Sequence, residues 1–171
     1  MRKYIRMLAQ TISFVCTDFS SAEALAGPIN EVFKASFNVQ EVLLSGPSVT
    51  CSLAGMTIGR GSATHLGMIM LTATDCVHPF PTYFNFNNGK FTLTATNGDT
   101  VTAIYGGSLT PTQDGALYTL NGWFQIIGGT GHFAGARGTG QLSGSEKLEN
   151  NAPPVPPSAS GKLEAIGIIS Y

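Results

Sequence analysis

The sequence carries little charge. Only 11% of its 171 residues are Asp, Glu, Lys or Arg, whereas about a quarter is usual in globular domains. The formal net charge is -1, and no basic block follows the first six residues. A nucleic-acid-binding surface needs a positive patch that neutralises phosphates, so the composition argues against a nucleic-acid partner.

Long apolar runs and cysteines are scarce as well. No run approaches the roughly 18 residues of a membrane-spanning helix, so no membrane span is expected. The three cysteines are Cys16, Cys51 and Cys76, without a CxxC pair, and we expect neither a metal site nor an organic cofactor. Cys51 and Cys76 are compatible with one disulfide. Two buried thiols are the alternative, which we favour.

The N-terminus allows two interpretations. Three basic residues precede a short, mostly apolar run, and Ala24-Leu25-Ala26 offers an A-x-A cleavage pattern. Residues 1–26 are therefore a signal peptide or an N-terminal arm or helix, followed by a single domain over residues 27–171. The protein would be secreted or periplasmic in the first case and cytoplasmic in the second.

Strand and turn patterns dominate the rest of the chain. The 21 glycines, the many threonines and the 43% hydrophobic content favour short strands around a sizeable core. About eight strands follow one another at regular spacing, and a last strand, Lys162 to Ser170, can close the sheet. Closure removes exposed sheet edges, so we predict an all-β, eight-stranded antiparallel barrel.

Several local features of this barrel are also predicted. Asn87-Asn88-Gly89 and Asn97-Gly98 are typical of hairpin turns, and Asn121-Gly122 of a bulge within a strand. The run from Ser62 to Asp75 is apolar on both faces, which predicts one strand covered outside by a helix or a neighbouring subunit.

The glycine-rich segment from Gly128 to Gly138 is explained by backbone geometry. Gly128, Gly129 and Gly131 allow a sharp turn at a barrel rim, and Phe133 is expected to plug the core beneath it. A phosphate-binding loop would need a following helix and a lysine, which the pattern lacks.

Three motifs occur in order and carry a family resemblance: ATHLG at 63–67, LTATNGD at 93–99 and IGGTGHFAGA at 127–136. Together they resemble the bacterial allene-oxide-cyclase-barrel-like family over roughly residues 34–171. The glycine-rich segment also resembles plant dirigent proteins, which share that barrel. The resemblance implies an eight-stranded antiparallel barrel with an interior cavity, which is often trimeric in plant members. Met68 and His132 stand where the family commonly has arginine, so a role of those arginines does not carry over.

Three residues are candidates for catalysis. Glu41 interrupts an apolar alternating face and, if it points inward, would be a desolvated carboxyl group with a raised pKa. His65, in the middle of its predicted strand, would line the cavity as an acid or base or serve as a structural histidine. Arg137 would hold a carboxylate. Asp75 and Asp99 are further acidic candidates, Asp99 being assigned to a turn.

Four aromatic residues are candidates for an apolar substrate-binding wall, with plain core packing as the alternative: Tyr83, Tyr105, Tyr118 and Trp123.

Three functions fit these features. The leading hypothesis is a barrel that binds a small hydrophobic molecule and steers its cyclisation or isomerisation by confinement. The first alternative is a non-catalytic, secreted ligand-binding or structural barrel, since an eight-stranded barrel can be filled or can hold a ligand. The second is a dirigent-like, stereo-directing protein, which would have acidic groups in its cavity. In each case the chain could associate as a dimer or trimer.

Overall fold

The computed structural model describes residues 30–48, 50–113, 115, 117–149 and 155–171. Within these residues the chain forms eight strands and one 3-10 helix, Gly131–Phe133, and no helix in these ranges is long and apolar enough to cross a membrane. The strands are β1 (Glu31–Ser48), β2 (Cys51–Ala63), β3 (Gly67–Pro79), β4 (Phe84–Ala95), β5 (Thr100–Pro111), β6 (Leu117–Gly129), β7 (Arg137–Glu149) and β8 (Ser158–Ser170).

Each strand pairs antiparallel with the next, and β8 returns to pair with β1. This closed ring confirms the predicted eight-stranded antiparallel barrel. The proposed signal peptide or arm, Cys16 and residues 150–154 lie outside the described residues.

Alternation along the strands separates the barrel interior from its surface. In β1 the side chains of Phe33, Ala35, Phe37 and Val39 are buried, while their sequence neighbours are exposed or half-buried. Successive strand residues point to opposite faces, so every second side chain enters the barrel. The same period of two holds around the ring and places a continuous apolar core inside it.

One end of the barrel, here called the plugged end, is closed by the turns at 64–66 and 96–99 and by the 3-10 helix. Phe133 on that helix is only 2% exposed and belongs to the core, as predicted. Gly131 has a φ of +61°, and a Cβ there would collide with the carboxylate of Asp99. Asp99 in turn accepts a hydrogen bond from the backbone N–H of His132 at 3.3 Å.

The opposite end, here called the loop end, is the end of the barrel at which β1, β3, β5 and β7 terminate. A disulfide between Cys51 and Cys76 joins β2 to β3 near this end. The preference for two free thiols was therefore wrong, because antiparallel pairing brings the beginning of β2 next to the far part of β3.

The run from Ser62 to Asp75 was wrongly predicted to be one strand. β2 ends at Ala63, and a turn that contains His65 in the left-handed region (φ 67°) leads into β3 at Gly67. The three turn residues, Thr64, His65 and Leu66, include no glycine, proline, asparagine or aspartate, so the composition did not mark the turn. The outward face of β3 carries two well-exposed methionines, Met68 and Met70, followed by two threonines, Thr72 and Thr74.

Two of the predicted Asn-Gly features also differ in the structure. Asn88 (φ 53°) lies inside β4 at a register shift in the β3–β4 pairing, so it forms a bulge and not a hairpin turn. Some bulges and the tight hairpin turns both use positive φ, which is why this dipeptide could not distinguish them. Asn121 and Gly122 pair regularly with β5, and the irregularity of that pairing lies between Thr102 and Ala103. The turn at Asn97-Gly98 is confirmed.

The plug can be tested with a matched pair of phenylalanine variants. We expect Phe133→Ala to lower the free energy of unfolding by about 3–5 kcal/mol, because it leaves a cavity in the core. Phe80, which is 48% exposed, is the control, and Phe80→Ala should cost less than about 1 kcal/mol. Denaturant unfolding of both variants measures the difference, and equal losses would contradict the plugged end.

Candidate functional site: an acidic cavity inside the barrel

A cavity lies inside the barrel, between the middle of the strands and the loop end, and the centre of a water molecule has about 50 Å³ of space within it. Its wall is mostly apolar and consists of Phe37, Leu71, Ala73, Val77, Phe86, Phe91, Leu109, Leu120, Leu142 and Leu163. Five polar side chains complete the lining: Glu41, Thr57, Asp75, Tyr105 and Glu146.

The strand period brings these polar side chains inside. Glu41 on β1 has the same parity as Val39 and Leu43, which are both buried, and it is itself 6% exposed. Glu146 on β7 shares its face with Leu142 and is 4% exposed. Neither carboxyl group can turn outward without moving its apolar neighbours to the surface.

Glycines on neighbouring strands make room for the polar groups. A Cβ at Gly55 on β2 would collide with both Asp75 Oδ1 and Glu41 Oε1, so two carboxyl groups meet over that glycine. A Cβ at Gly161 on β8 would come within 2.6 Å of Glu146 Cγ. The interior carboxyl groups thus fit only because the adjacent residues are glycines, which have no side chain.

Hydrogen bonds satisfy only some of these groups. The Tyr105 hydroxyl donates to Asp75 Oδ2 at 2.9 Å, and the Thr57 side chain hydrogen-bonds to Glu41. Asp75 Oδ1 is buried and has no partner among the described residues. The Glu146 carboxyl group likewise forms no hydrogen bond or ion pair with any residue that the structure describes. The cavity therefore contains carboxyl oxygens that no described residue pairs with.

Burial raises the pKa of every acidic group in the cavity. Desolvation, followed by the negative charges of Asp75 and Glu146, raises the pKa of Glu41 to about 9, against the opposing hydrogen bond from Thr57. Desolvation and then Asp75 raise the pKa of Glu146 to about 7. The pKa of Asp75 is raised by desolvation, and the Tyr105 hydrogen bond opposes that shift. Desolvation also raises the pKa of Tyr105.

This arrangement can donate and accept protons near neutral pH. Glu41 holds its proton at pH 7, whereas Glu146 is divided between its two forms. Two carboxyl groups whose environments separate their pKa values are suited to act as an acid and a base. No Lys, Arg or His lines the cavity in the described part of the chain. In those ranges no three His, Cys, Asp or Glu side chains are placed to hold a metal ion.

The structure places two of the sequence-selected residues, Glu41 and Tyr105, in the cavity wall. Asp75, the further acidic candidate, lies there as well. Tyr118 is near the loop end, where its ring meets the edge of Phe84 with 5.5 Å between centroids.

His65 and Arg137 lie at the plugged end, away from the cavity. His65 Nδ1 is 3.0 Å from Glu31 Oε2, and its Nε2 is 3.1 Å from the carbonyl oxygen of Val32. Arg137 Nη1 donates to the carbonyl oxygens of Ile127 and Ala136, at 2.6 and 2.8 Å. Both residues lie at the rim of the barrel. Their side chains therefore connect turns to strand ends.

Tyr83 and Trp123 are also outside the cavity. Tyr83 stacks on Phe80 in the β3–β4 connection, with 4.7 Å between ring centroids. Trp123 is 50% exposed on the outer face of β6. An aromatic residue in a strand suits either face, so residue type alone did not separate them from Tyr105.

Glu146 is the main site residue that sequence reasoning missed. The signal was present in β7, where Leu142, Glu146 and Leu148 share one parity. A charged residue on an otherwise apolar alternating face is the same feature that singled out Glu41. The intervening Gly144 and the polar surroundings concealed the pattern.

No protein-family model and no protein of curated function matches this sequence. Among solved structures, the fold is similar to that of a pterocarpan synthase that is a dirigent protein. The TM-score is 0.44 and the sequences are 13% identical, over 83% of this chain and 86% of that chain.

The raised pKa values predict how stability depends on pH. The folded protein holds protons on Glu41 and Glu146 that the unfolded chain releases above about pH 4.5, so stability is full below that pH and falls as pH rises toward 9. The shift from 4.5 to about 7 at Glu146 corresponds to roughly 3 kcal/mol.

Unfolding free energies measured in urea at about pH 5 and about pH 9 test this slope. Glu146→Gln removes one of the two groups and should make the dependence on pH shallower. Glu164→Gln is the control, because that side chain is 50% exposed on the outside of β8 and should leave the slope unchanged. A Glu146→Gln slope equal to the wild-type slope would show that Glu146 titrates normally.

Proposed function

We propose that the barrel binds a small, mainly apolar molecule in its cavity and isomerises it by moving a proton. The observation that carries this proposal is the meeting of three carboxyl groups and a tyrosine hydroxyl in an otherwise apolar interior. Buried carboxyl groups without partners destabilise a fold, and apolar side chains of similar volume would serve the core better. Their presence therefore supports a chemical role.

The two glutamates supply complementary steps. Glu146, with its pKa of about 7, is suited to remove a proton from a carbon next to a carbonyl group and to return it elsewhere. Glu41, which is protonated at neutral pH, would donate a hydrogen bond to the oxygen on which negative charge develops. The apolar walls would hold the molecule in one conformation, which supports steering by confinement.

A dirigent-like role is the second candidate. The acidic groups in the cavity are the feature that this hypothesis expects, and the glycine-rich segment from Gly128 to Gly138 carries the resemblance to plant dirigent proteins. In this role the barrel would bind a reactive species made by another enzyme. The disulfide is typical of proteins in oxidising compartments and supports secretion. Assembly into a dimer or trimer stays a prediction.

The proton-transfer proposal can be tested with 3-cyclohexen-1-one. This ketone becomes 2-cyclohexen-1-one when one proton leaves the carbon between the carbonyl group and the double bond and one proton returns to the far alkene carbon. We expect Glu146→Gln to lower kcat/KM by about 100-fold or more, because the base is lost. Glu41→Gln should have a smaller effect, since the amide still donates a hydrogen bond.

The absorbance of the conjugated product measures the rate, and Glu164→Gln should retain the wild-type rate. The proposal is wrong if the wild-type protein binds the ketone but isomerises it no faster than Glu146→Gln does.

A further inference from the structure

The charge of the cavity lining has one sign only. Glu41 on β1, Asp75 on β3 and Glu146 on β7 face the same space as the Tyr105 hydroxyl on β5. The other strands contribute no titratable side chain to the wall. Any negative charge that these groups acquire is therefore uncompensated within the described protein.

We infer that the cavity selects a small apolar amine, bound as its ammonium ion among Glu41, Asp75 and Glu146. This inference rests on the proposed function in that it takes the cavity as the place where the substrate binds. It goes beyond that function in naming a separate class of ligand, an amine, for the same cavity.

The unpartnered oxygens are the geometric basis. Asp75 Oδ1 is buried without a donor, and the Glu146 carboxyl group, which is 4% exposed in total, has no partner among the described residues. An ammonium group has three N–H donors and no acceptor, so it can serve several carboxyl oxygens at once. A carboxylate ligand would bring a further negative charge to three carboxyl groups that no described cation balances.

Electrostatics favours the same class. Hydrogen bonds between an ammonium group and carboxylates are about twice as strong as those between neutral groups, and the mostly apolar wall of this cavity strengthens them further. The apolar wall, which includes Phe86, Phe91 and Leu109, suits a short hydrocarbon portion. An alcohol of the same size could satisfy one acceptor but would leave the charges unbalanced.

The protonation of the carboxyl groups in the cavity gives the proposal a measurable signature. A bound cation favours ionised carboxyl groups, so ammonium binding should lower the raised pKa values of Glu41 and Glu146. Protons would then be released when the amine binds near neutral pH. Affinity should increase as pH rises from about 6 until the amine itself loses its proton.

Pentylamine, 1-pentanol and pentanoate form a matched probe series for the full-length protein. Isothermal titration at neutral pH, with potassium chloride added to equal ionic strength, should show pentylamine binding at least about tenfold more tightly than 1-pentanol. Pentanoate should bind more weakly than 1-pentanol. Repeating the pentylamine titration in buffers with different ionisation enthalpies should reveal proton release.

Variants separate the amine site from general apolar binding. Asp75→Asn and Glu146→Gln should each weaken pentylamine binding about tenfold and leave 1-pentanol binding nearly unchanged. Glu164→Gln should alter neither. Circular dichroism spectra matching the wild type would show that each variant is folded.

The outcomes of the two experiments are distinguishable. If 1-pentanol binds as tightly as pentylamine, or if amine binding releases no protons, the amine inference is wrong while the isomerase proposal stands. If pentylamine binds as expected but 3-cyclohexen-1-one is not isomerised, the proton-transfer proposal fails and the amine site remains. If no probe binds, both are wrong.

Discussion

Desolvation of carboxyl groups inside a closed barrel is the constraint on which the site depends. A closed sheet has no edge, and every second residue of each strand is directed inward. Glu41 and Glu146 occupy inward positions among apolar neighbours and therefore lose most of their water. Their pKa values rise because burial destabilises the charged form. Burial alone, without any ligand, therefore favours the protonated form at neutral pH.

The two ends of the barrel differ in what occupies the interior. At the plugged end, Phe133 and its neighbours fill the interior, and His65 and Arg137 fasten the turns at the rim. Toward the loop end the interior leaves a cavity, and the polar groups are concentrated there. The disulfide at Cys76 directly follows Asp75 and so anchors the part of β3 that carries this carboxyl group. The filled plugged end thus supports the part of the barrel that contains the cavity.

Much of the fold was predictable because its signals are local. The period of two, the Asn97-Gly98 turn and the glycine-rich segment each act within a few residues, and together they indicated a closed barrel. The site was less predictable because it depends on which strands face each other. Glu41 could be identified from its own strand, but its meeting with Asp75 over Gly55 depends on the register of β1, β2 and β3. His65 was misplaced because the turn that holds it has a strand-like composition.

The most direct measurement is a pH titration of the glutamate side-chain carboxyl carbons by NMR, with Glu41→Gln and Glu146→Gln used to assign the two interior signals. Buried, mutually repelling carboxyl groups should give one signal that titrates near pH 7 and another near pH 9. Titration of both interior glutamates near their ordinary value of 4.5 would contradict the desolvated acidic cavity.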